Sequence, residues 1–266
     1  MNEVNKTLYI PLYGKAYVSR KGIILPDPKA EEIWAAEGFP LKGKSRSKWL
    51  AYFMGMRSAV FDRWVEEKMA ANPGAIVLHL GCGMDSRVLR VNSQGRLWFD
   101  VDFPDVIDER KRYYQASEHY RMIPSDIRDG QWLDTLPEVK RAIVVMEGIS
   151  MYLPPAELKE VFRALCGHFE HVCILMDCYT TFAAKASKFK NPINDVGVTL
   201  VYGTDNPREL EDGTDLDFLR EHNMTPADLI NQLHGMEKAI FARLYAGKLA
   251  QKMYRIYEYG GNHVSG

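Results

Sequence analysis

The sequence predicts an α/β fold in which a mainly parallel sheet has helices on both faces. Between residues 76 and 177, short runs of apolar, strand-forming residues alternate with stretches of helical periodicity. The first run, Ile76 to Leu80, ends in Gly81-Cys82-Gly83, and a helix is predicted to begin at Arg87. Such alternation is typical of parallel sheets. A strand that ends in a glycine turn before a helix commonly forms a ligand site in them.

Helices are predicted before the sheet. Asp27-Pro28 resembles an N-cap followed by a first-turn proline, and Gly38 is predicted to end the helix over residues 29–36. A longer helix is predicted from Ser47 to Ala71, with Asn72-Pro73-Gly74 stopping it. One face of this helix is apolar, because large residues recur at helical spacing: Trp49, Phe53, Met56, Val60 and Trp64.

Arg57 lies at the edge of that apolar stripe, between Phe53 and Phe61. An arginine in this position either extends along the apolar surface to reach solvent or points into a cleft. The periodicity by itself favours the solvent-facing orientation.

Further strands are predicted at residues 96–101, 120–124, 142–146 and 172–176, with helices at 104–116 and 155–169. Residues 182–211 are irregular, and we interpret them as an insertion or lid over the strand ends. More helix is predicted from Thr225-Pro226 to about residue 250. Residues 252–259 are predicted to form a final strand, antiparallel and at an edge of the sheet.

Acidic residues stand at or just after the ends of successive predicted strands, where ligands bind in parallel sheets. They are Asp85, Asp102, Asp126, Glu147 and Asp177. These carboxylates could coordinate Mg²⁺, bind ribose hydroxyls and adenine, or be solvated loop residues. Asp102 follows the glycines at a spacing of about twenty residues, which suits a carboxylate that accepts both ribose hydroxyls. Asp126 could accept from an exocyclic amine such as that of adenine. No histidines stand near these acids to complete a metal site, so no metal site is predicted.

The glycine turn differs from the dinucleotide-binding pattern, which has glycines at its first, third and sixth positions. Ser86 occupies the sixth position here, and Asp85 directly precedes it. A pyrophosphate would meet the Asp85 carboxylate, whereas a ligand with an ammonium group would suit it. S-adenosylmethionine (SAM) has an α-amino group, a carboxylate and a sulfonium, and no phosphate. A strand–turn–helix without a ligand remains an alternative.

Composition indicates one large domain, since the chain has 266 residues, of which 46% are hydrophobic. A formal net charge of -1 gives no reason to expect nucleic acid or an anionic membrane as a partner. No apolar run approaches the roughly 20 residues of a membrane span, and no signal peptide is predicted. The cysteines, which form no C-x-x-C pair, are predicted to be reduced thiols in a cytoplasmic protein: Cys82, Cys166, Cys173 and Cys178.

Several segments, in the same order, resemble the leucine carboxyl methyltransferase superfamily. They are LYIPLYGKAYVSR, MRSAVFDRWV, LGCGMDSR, WFDVDFPDVIDERKRYY, PSDIRDGQW and VVMEGISMYL. The resemblance extends over about residues 7–180 and is nearest to the bacterial branch, the polyketide O-methyltransferases of the tetracenomycin type. Cys82, Met84 and Ser86 stand where the family usually has alanine, leucine and threonine.

The resemblance implies a class I SAM-dependent methyltransferase fold with an antiparallel final strand. We therefore predict a single domain over residues 1–266. It would comprise an N-terminal helical cap (1–73), a SAM-binding core (74–180), a lid or acceptor region (181–250), and a final strand with a tail (251–266).

The resemblance also implies roles for individual residues. Arg57 would bind the SAM carboxylate, which replaces the solvent-facing interpretation, and Glu147 would lie near the amino group and the sulfonium. Tyr152 would face the acceptor, so Tyr152 and Glu147 are the predicted catalytic residues. The predicted cofactor site comprises Lys15, Arg57, Gly81, Cys82, Gly83, Asp85, Val101, Asp102, Asp126, Ile127, Glu147 and Gly148.

The implied reaction is methyl transfer from SAM to an oxygen of a small molecule, such as a polyketide-type metabolite. A carboxylate acceptor, with a pKa of about 4, needs no general base, whereas a phenol with a pKa of about 10 would benefit from one. His79 lies inside a predicted buried strand and is interpreted as a core residue, so a carboxyl acceptor is favoured. The alternatives are a SAM-binding regulatory protein, a protein C-terminal carboxyl methyltransferase, and a nucleotide-sugar or NAD enzyme.

Overall fold

The computed structural model describes residues 7–39, 41, 43–190, 200–247, 250 and 252–262. Parts of the predicted lid and of the C-terminal tail, residues 191–199 and 263–266, lie outside these ranges. No helix in the described part of the chain is long and apolar enough to cross a membrane.

The described strands form one seven-stranded sheet in the order β3-β2-β1-β4-β5-β7-β6. The strands are β1 (Ile76–Leu80), β2 (Trp98–Asp102), β3 (Tyr120–Pro124), β4 (Arg141–Met146), β5 (His171–Tyr179), β6 (Asp217–His222) and β7 (Tyr254–Asn262). The first five strands were all predicted from the sequence. β2 begins two residues later than predicted, and β5 continues three residues further.

β1 is an interior strand that pairs in parallel with both β2 and β4, and all five of its residues are buried. The register places Leu80 opposite Val101, so Gly81 and Asp102 follow at the same edge of the sheet. The carboxyl end of β4 lies at this edge too, because His79 pairs with Val145. Chain segments far apart in sequence therefore meet beyond the ends of the central strands.

β7 is antiparallel, as predicted, but it lies between β5 and β6 instead of at the edge. The strand at this edge of the sheet is β6, which the sequence analysis missed, and β3 forms the other edge. Most of its residues are exposed, and its sequence, DFLREH, is mainly charged. Edge strands tolerate such residues because only one side of the backbone is paired, so the alternation of apolar residues is weak.

The described α-helices are α1 (Tyr9–Arg20), α2 (Pro28–Glu37), α3 (Lys48–Ala71), α4 (Arg87–Arg90), α5 (Pro104–Arg110), α6 (Pro155–His168), α7 (Thr181–Lys190), α8 (Ala227–Ile230) and α9 (Gly235–Leu244). The predicted caps of α2 are confirmed: the Asp27 carboxylate accepts from the Ala30 amide at 2.9 Å, and Gly38 has a φ of 58°. The Ser47 side chain caps α3. α5 is shorter than predicted and ends at Arg110.

Apolar cores cover both faces of the sheet. On one face α1, α2 and α3 pack together, with Phe61 and Val65 of α3 fully buried. On the other face α6 buries Phe162 and Leu165. Each such side chain contributes about 1.5–3 kcal/mol by leaving water. The sheet is therefore held from both sides while its carboxyl edge stays available for a site.

Candidate cofactor and acceptor site

A cavity of about 460 Å³ lies beyond the carboxyl ends of β1, β2 and β4. Its volume is in the range of small-molecule sites. It is lined by the glycine turn after β1, by strand-end acids and by residues of α1 and α3. The predicted site residues that line it are Lys15, Arg57, Gly81, Cys82, Gly83, Asp85, Asp102, Asp126, Ile127, Glu147, Gly148 and Tyr152.

The glycine turn forms the floor of the cavity. Gly81 and Gly83 have φ values of 64° and 50°, a region that favours glycine. A Cβ atom at Gly81 would lie 2.1 Å from Cγ2 of Ile149. The turn after β1 therefore needs glycine both for its backbone conformation and for the approach of the loop after β4.

Asp102 is held beside this turn by backbone amides. Gly83 N–H donates to Oδ2 at 2.7 Å, and Phe103 N–H donates to Oδ1 at 2.8 Å. A carboxylate accepts about four hydrogen bonds, so acceptor positions remain on the cavity side. Burial raises the pKa of Asp102 to about 6, although the two amides act to lower it.

Asp126 lies at the rim, where Arg128 binds it. The Arg128 guanidinium donates to Oδ1 at 2.9 Å and the Arg128 amide donates to the same atom at 3.0 Å. These hydrogen bonds lower the pKa of Asp126. Ile127, which stands between these two residues in the sequence, adds an apolar side chain to the cavity lining.

Glu147 is buried between two arginines. Arg57 Nε donates to Oε1 at 3.0 Å, and Arg87 Nη2 donates to Oε2. Burial acts to raise the pKa of Glu147, but Arg87 and Arg57 outweigh it and lower the pKa to about 2. Glu147 is therefore an anion at neutral pH.

Arg57 is only 4% exposed, which excludes the solvent-facing orientation considered above. Besides Glu147, its Nη1 donates to Asp177 Oδ2 and to the Tyr254 hydroxyl, both at 2.9 Å. The guanidinium thus lies in the cavity wall, fixed by residues of β5 and β7 and by Glu147, which directly follows β4.

Asp85 faces three protein cations, so it is not the open carboxylate that the sequence suggested for an ammonium ligand. Its oxygens lie 3.1 Å from Lys15 Nζ, 3.3 Å from Arg87 Nη1 and 2.9 Å from Arg90 Nη1. These cations outweigh burial and hold the pKa of Asp85 well below its ordinary value. Asp85 in turn holds Lys15 at the cavity.

Arg87 and Arg90, which the sequence analysis missed, do not line the cavity but pair with carboxylates that do: Arg87 with Asp85 and Glu147, and Arg90 with Asp85. Arg87 is fully buried and the Arg90 side chain is 7% exposed, and both bind the Asp62 carboxylate, at 2.6 Å and 2.8 Å. Their spacing of one helical turn directly after Asp85 was the available signal.

Val101 is the one predicted site residue that is not among those lining the cavity. Its side chain is fully buried in the core on the α6 face of the sheet. Successive side chains in a strand point to opposite faces, so Val101 and Asp102 cannot both point the same way. The Val101 carbonyl accepts from the Gly81 amide at 2.8 Å and so helps to place the turn.

His79 is buried within β1, as predicted, and it is also among the residues that line the cavity. It is 1% exposed, and its Nε2 lies 3.2 Å from Arg87 Nη1. Burial lowers the pKa of His79, which favours the neutral ring. Within the described ranges, no group of three or more His, Cys, Asp or Glu residues is arranged to hold a metal ion.

The other end of the cavity is apolar and rich in aromatic residues. Its lining includes Leu50, Phe53, Met54, Met151, Tyr152, Tyr179 and Tyr254. Burial raises the pKa of Tyr152, so its hydroxyl stays protonated. No described residue between 181 and 250 lines this cavity, whereas α1 and α3 both contribute to its lining.

Comparison with known proteins decides the family. The family model for leucine carboxyl methyltransferase matches residues 12–166, which is more than half of the chain. The chain belongs to the leucine carboxyl methyltransferase family. The resemblance described from the sequence is thereby confirmed.

Characterised relatives of this leucine carboxyl methyltransferase family member are also methyltransferases. The chain is 31% identical over 242 residues to the tetracenomycin polyketide synthesis O-methyltransferase TcmP of Streptomyces glaucescens, with 90% of each chain covered. It is 33% identical over 233 residues to the S-adenosyl-L-methionine-dependent methyltransferase dpfgK of Gibberella zeae, with 77% of each covered. This family member is therefore a SAM-dependent methyltransferase.

Solved structures share the fold at low identity. The magnesium protoporphyrin IX methyltransferase of Synechocystis PCC 6803, with bound S-adenosylhomocysteine (SAH), aligns with a TM-score of 0.52 at 13% identity, covering 87% of this chain and 93% of that one. The geranyl diphosphate C-methyltransferase of Streptomyces coelicolor A3(2) aligns with a TM-score of 0.51 at 15% identity, covering 86% and 84%. The predicted class I SAM-dependent methyltransferase fold is confirmed.

Proposed function

We propose that this enzyme methylates a carboxylate oxygen of a small, polyketide-type acid in the cytoplasm, with SAM as the methyl donor. One observation carries the choice of a carboxylate. Every described carboxylate that lines the cavity is already paired with a cation or with backbone amides.

The donor set of the cavity fits SAM. Asp102 keeps acceptor positions for ribose hydroxyls, and Asp126 with Ile127 offers an acceptor beside an apolar surface for adenine. Arg57 offers a guanidinium to the cofactor carboxylate. When bound, SAM supplies an electrophilic methyl group on its sulfonium.

The charge of the cavity also suits this cofactor. The charged side chains among its described lining residues are Lys15, Arg57 and Arg128, against Asp85, Asp102, Asp126 and Glu147. The lining thus carries one more negative than positive charge when all its acids are ionised. A ligand with a sulfonium, an ammonium and one carboxylate carries a net positive charge and compensates it.

No lining carboxylate is free to act as a general base. Glu147 binds Arg57 and Arg87, Asp126 binds Arg128, and Asp85 binds three cations. Asp102 accepts from two amides at the cofactor end. A carboxylate acceptor, already ionised at neutral pH, requires no proton transfer. The protein then contributes by orienting the acceptor beside Tyr152 and by excluding water beneath α1 and α3.

The type of product tests this proposal. The enzyme is incubated with methyl-labelled SAM and a panel of aromatic polyketide acids, and the products are treated with base. A carboxyl methyl ester releases labelled methanol, whereas a phenol methyl ether retains the label. Label that resists base would contradict the carboxylate proposal, and label found only on added protein would contradict the small-molecule acceptor.

A further inference from the structure

Asp177, at the end of β5, lies beneath the cavity and is fully buried. Its Oδ2 accepts from Arg57 Nη1 at 2.9 Å and from the Tyr254 hydroxyl at 2.6 Å, while its Oδ1 accepts from the Gly148 amide at 2.6 Å. Asp177 thus joins α3, β7 and the loop after β4 at one carboxylate.

Tyr254, at the start of β7, takes part in both ends of the cavity. Its ring contacts Phe53 and Tyr179 edge to face, with centroid distances of 6.1 Å and 5.0 Å, in the apolar end. Its hydroxyl accepts from Arg57 Nη1 at 2.9 Å. A phenylalanine would fill the same wall, so the hydroxyl serves the contact with Arg57 and Asp177.

These contacts fix the plane of the Arg57 guanidinium. Glu147 holds Nε, while Asp177 and Tyr254 hold Nη1. Across the described residues, the hydrogen bonds recorded for Arg57 use only these two nitrogens. Nη2 lies beside Gly148, where a Cβ atom would approach it to 3.4 Å. A guanidinium fixed in this way is pre-organised to bind a carboxylate through its remaining donors.

We propose that Tyr254 and Asp177 are positioning residues for Arg57, and that they orient its guanidinium toward the α-carboxylate of the cofactor. This inference rests on the proposed assignment of Arg57 to that carboxylate. It adds Tyr254, from the last strand, as a residue shared by the cofactor and acceptor ends of the site.

Binding of two ligands can show whether Tyr254 and Asp177 orient Arg57 or only stabilise the structure in general. SAH contains the α-carboxylate, whereas 5′-methylthioadenosine has the same adenosine but no amino-acid part. Calorimetry is performed with both on the full-length enzyme and on Tyr254→Phe and Asp177→Asn. We expect Tyr254→Phe to bind SAH roughly tenfold more weakly, the loss of one hydrogen bond to a charged group. Its affinity for methylthioadenosine should stay within about twofold of the wild type.

Tyr259→Phe is the matched control, because Tyr259 lies on the same strand and its buried hydroxyl also donates a hydrogen bond, to the Pro207 carbonyl at 3.0 Å. It is not among the residues that line the cavity and should leave both affinities unchanged. Equal losses for both ligands in Tyr254→Phe, or an unchanged SAH affinity, would overturn the proposal. Tyr254→Phe decides the question even where Asp177→Asn fails to fold.

Arg57→Lys distinguishes this inference from the proposed function on which it rests. If Arg57→Lys binds SAH as well as the wild type, the assignment of Arg57 to the carboxylate fails. If Arg57→Lys loses affinity for SAH and Tyr254→Phe does not, only the positioning proposal fails.

Discussion

We predict that Asp102 makes the binding of the cofactor dependent on pH near neutrality. Burial raises its pKa to about 6, so the carboxylate is protonated below that pH and ionised above it. Only the ionised form accepts through both oxygens from the amides and the ribose hydroxyls together. The affinity for SAH should therefore fall as the pH decreases from 7 through about 6 to 5.

Substitution of Asp102 should remove this pH dependence. We expect Asp102→Asn to weaken SAH binding by about 1–3 kcal/mol at pH 7.5 and to flatten the affinity between pH 5 and 7. Calorimetry at several pH values measures both effects. The exposed Asp108→Asn, on the same loop–helix segment, should match the wild type throughout. A pH profile retained in Asp102→Asn would assign the titration to another group.

Tyr152→Phe should affect the acceptor more than the cofactor. The Tyr152 ring lines the aromatic end of the cavity, together with Phe53, Met151 and Tyr179. We expect turnover of the acceptor acid to fall roughly tenfold or more, while SAM affinity stays within about twofold. Steady-state kinetics measures the turnover, and calorimetry measures the affinity for SAM. Loss confined to SAM affinity would show that Tyr152 belongs to the cofactor end.

At the residue scale, the sequence predicted which positions line the cavity better than how they are paired. Asp102 could be predicted because its place is determined by the end of β2 and by its spacing from the glycine turn. The three partners of Asp85 could not, because Lys15 and Arg90 come from α1 and α4, whose packing no local pattern encodes. Val101 and Asp102 were both predicted to belong to the site, although adjacent side chains in a strand point to opposite faces of the sheet.

At the scale of elements, the glycine turn should be intolerant of any side chain. We expect Gly81→Ala to destabilise the protein by about 2–4 kcal/mol, because a positive φ and an overlap with Ile149 act together. Gly95→Ala is the matched control, since Gly95 also has a positive φ, 75°, but nothing within 4 Å of its added Cβ. It should lose only about 1–2 kcal/mol.

Denaturant unfolding measures both variants, and a double substitution isolates the overlap. Gly81→Ala with Ile149→Ala removes the methyl groups that the new Cβ would meet, so it should lose less stability than the sum of the single changes. Additive losses would show that backbone strain alone accounts for the effect.

Elements with strong local signals were predicted well, and those that depend on partners were not. β1 is predicted by its own run of apolar residues, and α2 is predicted by the capping residues at its two ends. β6 was missed because its charged residues are stabilised by β7, where buried Glu258 accepts from Arg220 at 2.7 Å. α5 ends early at Arg110, whose guanidinium binds Asp100 and the Gly83 carbonyl beneath the glycine turn.

At the scale of the molecule, helices near the N-terminus of the chain contribute much of the described lining of the cavity. α1 contributes Ile10, Pro11 and Leu12 to the lining, and α3 contributes Leu50 and Met54. Both helices also carry a cation of the site, so packing of the cap and binding of the cofactor are linked. The division into cap, core, lid and tail remains a prediction.

The buried ion pairs of the site should make the protein less stable at acid pH. The pKa of Glu147 is lowered from 4.5 to about 2 by Arg87 and Arg57 against the effect of burial. A carboxylate with a depressed pKa stabilises the fold above its unfolded pKa, and this contribution is lost as the pH falls toward 2. The lowered pKa corresponds to about 3 kcal/mol of stability at neutral pH.

Glu147→Gln should therefore be destabilised by about 3–5 kcal/mol at pH 7, because two buried arginines lose their shared carboxylate. The difference from the wild type should shrink steadily from pH 5 to pH 2.5. Urea unfolding at a series of pH values measures it. Glu157→Gln, which changes an exposed partner of Arg128, should differ from the wild type by less than about 0.5 kcal/mol. A Glu147→Gln deficit that stays constant down to pH 2.5 would mean that the carboxylate is not held ionised by its arginines.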